Sequence, residues 1–265
     1  MSSSKFDIVV YGATGFTGQL VAEYLAAHYK GDADLKWAMA GRSKDKLASV
    51  RDAIGAPADT PLIVADASDP VSLKAMVAQA KSVISTVGPY QFYGNDLIAE
   101  CVASGVDYFD LCGEPLWMRQ MIDKHEAAAK ASGARIVFSC GFDSVPFELG
   151  AFCVQEEARR VFGAPASRVK GRVRDMRGTL SGGTAASAKA TFEAVAKDLS
   201  LVAMLKDPFA LTPGFKGPKQ PPGSRPAYEE DLQSWSAPFM MALINTRNVH
   251  RSNMLMGFPY GKEFV

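Results

Sequence analysis

Through the first 140 residues, short apolar runs alternate with segments whose apolar positions recur every three or four residues. The apolar runs predict strands at 6–11, 35–40, 62–65, 82–87, 108–111 and 135–139. The 3.6-residue pattern predicts helices at 17–29, 44–54, 70–80, 96–104 and 116–132. Glycines at 31, 55, 105 and 133 stand just past four of these runs, where a left-handed residue ends a helix. Asp69-Pro70 predicts a helix start, with aspartate capping and proline in the first turn. Strands that alternate with helices in this way build a doubly wound parallel sheet. Domain one is therefore placed at 1–144 and domain two at 145–265.

The pattern changes after Gly141. A helix is expected from Asp143-Ser144-Val145-Pro146 to about residue 160, a strand at 168–176, and a helix from Ser181-Gly182-Gly183-Thr184 to about 205. Residues 208–226, rich in Pro, Gly and Lys, read as a loop. So few strands cannot close a sheet of their own, so this second α+β domain is expected to be incomplete.

The segment Gly12-Ala13-Thr14-Gly15-Phe16-Thr17-Gly18 joins the first strand to the first helix. A tight glycine turn in that setting leaves backbone N–H groups and a helix N-terminus facing an anion, the layout that holds a dinucleotide pyrophosphate. Gly12 turns the chain, Gly15 clears the phosphates and Gly18 lets helix and sheet approach. The end of the second strand then selects the cofactor. An NAD site usually carries an acid there, whereas this chain has Ala40-Gly41-Arg42-Ser43, with Lys46 a turn later. A guanidinium, a hydroxyl and an ammonium suit a 2′-phosphate, so the expected cofactor is NADP(H). Asp66 either accepts from the adenine amino group or caps a turn. Thr86, Val87, Gly88 and Pro89 end the fourth strand and are expected to pass the nicotinamide ribose. Tyr90 and Asp143 are the candidate proton donors; a part-buried loop tyrosine is the competing reading of Tyr90, and a helix N-cap before Pro146 that of Asp143 and Ser144. Glu114 lies at a strand end or caps the helix that follows.

Composition narrows the options. Charge is nearly balanced, +1 overall, which offers nothing to nucleic acid. Four cysteines without a C-x-x-C pair read as reduced, mainly buried thiols. Three scattered histidines form no metal-ligand pattern. No apolar leader or membrane-length apolar run occurs, so the expected location is cytoplasmic, with peripheral membrane contact and a homodimer left open. The glycine spacing is shared with short-chain dehydrogenases, which need Tyr-x-x-x-Lys. None of the eight tyrosines has a lysine four residues on.

Together with Gly12–Gly18 and 40–43, the segments 86–90 and, above all, Cys140-Gly141-Phe142-Asp143-Ser144-Val145-Pro146 resemble the saccharopine dehydrogenase-like oxidoreductases. Within that group the chain looks most like the mycobacterial trans-acting enoyl reductases, a likeness shared by 181–184 and 245–253. The resemblance implies a Rossmann domain followed by a domain that covers the nicotinamide. It also implies longer relatives in which a further stretch completes that second domain. The implied reaction moves hydride from NADPH to an imine or to an enoyl double bond of a lipid or polyketide-type substrate. Phe142, Phe147, Phe152 and 239–241 are either core or the lining for such a greasy molecule. The competing reading is a non-catalytic NADP-binding sensor or adaptor at a membrane or lipid droplet.

Overall fold

The computed structural model describes residues 4–29, 35–177, 182–221 and 223–265. By internal contacts the chain forms two compact units. Unit one comprises Met1–Cys112 and Gln120–Cys140, and unit two Gly113–Arg119 and Gly141–Val265.

Unit one contains β1 (Phe6–Tyr11), α1 (Phe16–His28), β2 (Trp37–Gly41), α2 (Lys44–Ala53), β3 (Leu62–Val64), α3 (Pro70–Val77), β4 (Ala80–Ser85), α4 (Tyr90–Tyr93), α5 (Asn95–Ser104) and β5 (Asp107–Asp110). It then takes in most of α6 (Pro115–Ser132), whose first residues belong to unit two, and β6 (Ile136–Val137). The strands pair in parallel in the order β3-β2-β1-β4-β5-β6. This is the Rossmann order, in which the chain reverses direction across the sheet between β1 and β4.

Val9, Val10, Ala38, Met39, Ala40 and Val83 are sealed from solvent, because strands covered on both faces carry continuous apolar runs. One core cluster joins Val10 and Met39 to Ala22, Leu25 and Ala26 of α1 and Leu47 of α2. Asp69 caps α3 through its Oδ1, which accepts from Val71 N at 3.0 Å, with Pro70 in the first turn. Gly55, Gly105 and Gly133 adopt positive φ beyond α2, α5 and α6, as their spacing predicts. The expected stop at Gly31 lies outside the described residues.

Unit two contains α7 (Val145–Phe162), α8 (Gly182–Lys197), α9 (Leu201–Lys206), β7 (Ala227–Glu229), β8 (Ser234–Ser236) and α10 (Ala242–Leu255). Two expectations fail here. Residues 168–176 form no strand, and the strands that do form are the hairpin β7–β8, next to the stretch read as loop. Alternating charge at 168–176 imitated a strand, but Lys170 and Arg172 instead spend their charges on ion pairs with Glu229 and Asp231. The helix expected from 181 to 205 is broken at 198–200, where Asp198 Oδ1 accepts from Ser200 N at 2.9 Å and ends the first segment.

Several arginines hold unit two together through backbone carbonyls. Buried Arg247 donates to the carbonyls of Asp207 (3.0 Å) and Leu205 (2.5 Å). Arg119 reaches Ala210 O at 2.8 Å, and Arg251 reaches Leu211 O at 3.0 Å. Phe147 stacks on Phe239 at 5.6 Å between ring centres, whereas Phe142, Phe152 and Met240 stay exposed and are not core. Among the cysteines, 101 and 112 are buried, 140 is half-buried and 153 is exposed, so burial holds for only part of the set.

Candidate functional site

The glycine turn closes β1 onto α1. Gly12 has φ +89°, and a Cβ there would stand 2.7 Å from Thr86 Oγ1 and from Val87 Cγ2. At Gly18 a Cβ would lie 2.1 Å from the Gly12 carbonyl oxygen. The fold itself therefore demands glycine at both positions. Gly15 differs. A Cβ there would meet only Gly12 O, at 3.4 Å, and φ is an ordinary −81°. Packing does not require glycine at 15, so the cradle is open on that side. Gly15 is also the N-cap of α1 and offers no side-chain acceptor, so the first N–H groups of α1 face outward uncapped. A cradle of this kind fits a pyrophosphate.

Neighbouring residues hold the turn. The Thr14 carbonyl accepts from Gln19 Nε2 at 3.0 Å. Thr86 Oγ1 lies within donating reach of the Tyr11 and Gly12 carbonyls, at 3.1 and 3.2 Å, and Thr86 N donates to Tyr11 O at 2.9 Å. Thr86 thus braces the β1 turn from β4. Thr17 is half-buried and the Phe16 ring is 74% exposed. Val87 packs toward Gly12, and the Gly88–Pro89 peptide is cis. A Cβ on Gly88 would touch the Tyr90 ring at 3.5 Å, an ordinary contact, so its glycine is not a packing requirement.

At the carboxyl end of the neighbouring strand β2, Arg42 and Lys46 are exposed, and no ion pair engages either of them among the described residues. Ser43 caps α2, its hydroxyl accepting from Lys46 N at 3.4 Å, which leaves the hydroxyl proton available to donate. Asp66 caps a turn, because its Oδ1 accepts from Ser68 N (2.9 Å) and Ser68 Oγ (2.8 Å). Those two bonds hold the Asp66 carboxyl below the usual carboxylate range, with help from the Arg42 charge. Tyr11, 1% exposed, lies in the same field. Burial pushes its phenol up to about 12, Asp66 adds to the rise and Arg42 opposes it. The Tyr11 hydroxyl is buried without a hydrogen-bond partner among the described residues, an orphan that sequence reasoning missed.

Tyr90 is engaged on both sides of its hydroxyl. Its ring is buried, its hydroxyl donates to Ser85 O at 3.1 Å, and it accepts from Leu111 N at 3.2 Å. Both sides of the hydroxyl are thereby engaged in tying the end of β4 to the end of β5. Asp143 lies in unit two, where its carbonyl accepts from Asn245 Nδ2 at 2.7 Å. Ser144 occupies the N-cap position of α7 but makes no side-chain capping bond, so the expected hydroxyl cap is absent. Glu114, also in unit two, is buried and accepts from Ser187 Oγ at 2.7 Å.

Comparison with known proteins fits this geometry. A family model described as the saccharopine dehydrogenase NADP binding domain matches residues 8–137, which run from β1 through β6. A trans-acting enoyl reductase of Mycobacterium leprae is 39% identical over 98% of this chain, and one of Mycobacterium bovis is 38% identical over the same share. Residues 8–137 are thus similar to the NADP binding domain of the saccharopine dehydrogenase family, and the chain as a whole is similar to trans-acting enoyl reductases. A Mycobacterium tuberculosis relative whose name also carries the words trans-acting enoyl reductase is 43% identical. The chain spans 64% of the length of each of these relatives. Among solved structures, apo saccharopine dehydrogenase (L-Glu forming) of Saccharomyces cerevisiae overlaps 59% of this chain and 32% of its own, at 21% identity and a TM-score of 0.48. Unit one thus carries an NADP-binding domain, and its glycine cradle fits the cofactor.

Proposed function

We propose that the chain is part of an NADPH-dependent reductase that acts on an enoyl double bond of a lipid or polyketide-type substrate. The observation that carries this reading is the 38–43% identity, over 98% of the chain, to proteins named trans-acting enoyl reductases. When bound, NADPH supplies the hydride. The residues of this chain do the rest. Gly12, Gly15 and Gly18 shape the backbone, with Thr14, Phe16 and Thr17 between them, and the uncapped N–H groups of α1 bind the pyrophosphate. Arg42, Ser43 and Lys46 bind the 2′-phosphate, with Asp66 beside them. Thr86, Val87, Gly88 and Pro89 line the passage of the nicotinamide ribose. The engaged hydroxyl of Tyr90 leaves Asp143 as the proton donor we favour.

The test offers NADPH and a panel of enoyl thioesters of increasing chain length to the protein and follows NADPH consumption. Turnover that falls strongly in Asp143→Asn with cofactor affinity kept supports the reading. Intact NADPH binding with no turnover on any member of the panel overturns it. That second outcome favours a non-catalytic NADP-binding sensor or adaptor. The occupied Tyr90 hydroxyl and the lack of Tyr-x-x-x-Lys speak for it. No helix among the described residues is long and apolar enough to cross a membrane, so contact of those residues with a lipid surface would be peripheral.

A further inference from the structure

The carboxyl ends of β5 and β6 are knotted around one buried carboxylate. Asp110, 1% exposed, closes β5. Its Oδ1 accepts from Cys112 N and from Ser139 N, both at 2.9 Å, and its Oδ2 accepts from Tyr108 Oη at 2.9 Å. Its carbonyl accepts from Cys140 N at 2.6 Å. Ser139 completes the knot by donating from Oγ to Cys112 O at 2.5 Å, and it does so with φ +59°, a left-handed conformation that non-glycine residues rarely adopt. Cys112 and Cys140 are the residues at which the chain leaves unit one. Loop backbone at a sheet edge is ordinarily free to vary. Here it is tied at four points, Cys112 N, Cys112 O, Ser139 N and Cys140 N, through two side chains and one carbonyl.

The place of this knot in the sheet gives it a use. A dinucleotide lies across the crevice where the strand order reverses, with one mononucleotide on each half of the sheet. The 2′-phosphate determinants stand at the end of β2, so the adenosine half belongs to β1–β3 and the nicotinamide half to β4–β6. We propose that Asp110 is a positioning residue, whose carboxylate, working with Ser139, locks residues 111–112 and 139–140 into the one backbone conformation that receives the nicotinamide end of the cofactor. The proposal rests on the NADP(H) reading of unit one and does not depend on which bond is reduced.

The two oxygens have different duties, which makes the proposal testable. In Asp110→Asn, an amide whose oxygen takes the Oδ1 position keeps both backbone N–H bonds, and its nitrogen can donate to Tyr108 Oη. Asp110→Ala loses the side-chain bonds to Cys112 N, Ser139 N and Tyr108 Oη. Calorimetry would compare NADPH with 2′-phospho-ADP-ribose, which carries the adenosine half but no nicotinamide, and would be paired with the fluorescence of the bound dihydronicotinamide. In Asp110→Ala we expect NADPH to bind about tenfold more weakly, as for the loss of one net hydrogen bond, with altered fluorescence. The fragment should bind within about twofold of wild type, and Asp110→Asn should restore NADPH affinity to within about threefold. Equal weakening of both ligands, no change in either, or an Asp110→Asn variant as impaired as Asp110→Ala overturns the proposal. Should Asp110→Ala not fold, Ser139→Ala, which removes the Oγ bond to Cys112 O, must still weaken NADPH selectively. Equal effects on both ligands in that variant overturn the proposal as well. A wild-type protein that binds neither ligand would instead refute the cofactor reading beneath it.

Discussion

Arg42→Ala tests the cofactor assignment most directly. Arg42 follows β2 and is exposed, no ion pair engages it among the described residues, and its charge helps to keep Asp66 ionised. A charge-assisted bond from a guanidinium to a phosphate contributes about 1.5–3 kcal/mol when well made. Exposure and salt screening reduce that figure, so the expected loss is about 1–2 kcal/mol, or roughly 5- to 30-fold in the NADPH dissociation constant. NADH has no 2′-phosphate and should lose less than about twofold. Titration calorimetry with both cofactors, at low and at physiological ionic strength, reads the difference, and the NADPH-specific part should shrink as salt rises. The melting temperature should not move, because no bond within the protein is lost. Equal loss for the two cofactors would show that Arg42 supports the fold. No loss for either would remove it from the site.

Other expectations follow from the same geometry. Gly18→Ala pushes a methyl into the Gly12 carbonyl and should cost about 1–3 kcal/mol in urea denaturation. Gly15→Ala meets no clash, and at this N-cap position should change stability by less than about 1 kcal/mol while lowering NADPH affinity about tenfold, so a cofactor affinity equal to wild type would show that the open cradle is not the pyrophosphate site. Tyr90→Phe strips the partners from Ser85 O and Leu111 N and should destabilise by about 1–3 kcal/mol, with any turnover falling only as far as the folded fraction does. His250, buried against Phe209 and Phe264, has its pKa lowered by burial from 6.5 to about 4. A base with a depressed folded pKa favours the unfolded chain as it protonates, so its contribution is complete above pH 6.5 and disappears as the pH falls through about 4. The loss should approach about 3 kcal/mol, and denaturation curves of His250→Phe should lack that acid limb.

Unit one was readable from the chain because its signals are local. The helix over 70–77 needs only Asp69, Pro70 and a 3.6-residue stripe, and the glycine turn needs only seven consecutive residues. The second unit was less readable. Its apparent strand at 168–176 carries alternating charges that answer acids about sixty positions away, and its true hairpin directly follows a Pro- and Gly-rich tract. Tyr90 fitted the sequence criteria for a proton donor, since it follows a strand end, and only the partner atoms on Ser85 and Leu111 show the hydroxyl to be engaged. Asp110 shares a face with Tyr108 at a spacing of two and closes a strand, a signal that was present but indistinguishable from an ordinary polar edge residue.

By itself the sequence determined that strands and helices alternate, where the dinucleotide turn lies, and that a positive group rather than an acid follows β2. Those properties follow from backbone geometry and charge within a few residues. The tertiary structure alone decided that a Cβ at Gly12 would strike Thr86 and Val87, that both sides of the Tyr90 hydroxyl are engaged, and that one buried carboxylate ties Cys112 to Ser139. These depend on atoms 21 to 75 residues apart brought within 3.2 Å by the order in which the strands lie side by side. Strand order is a property of the whole sheet, and no local pattern encodes it.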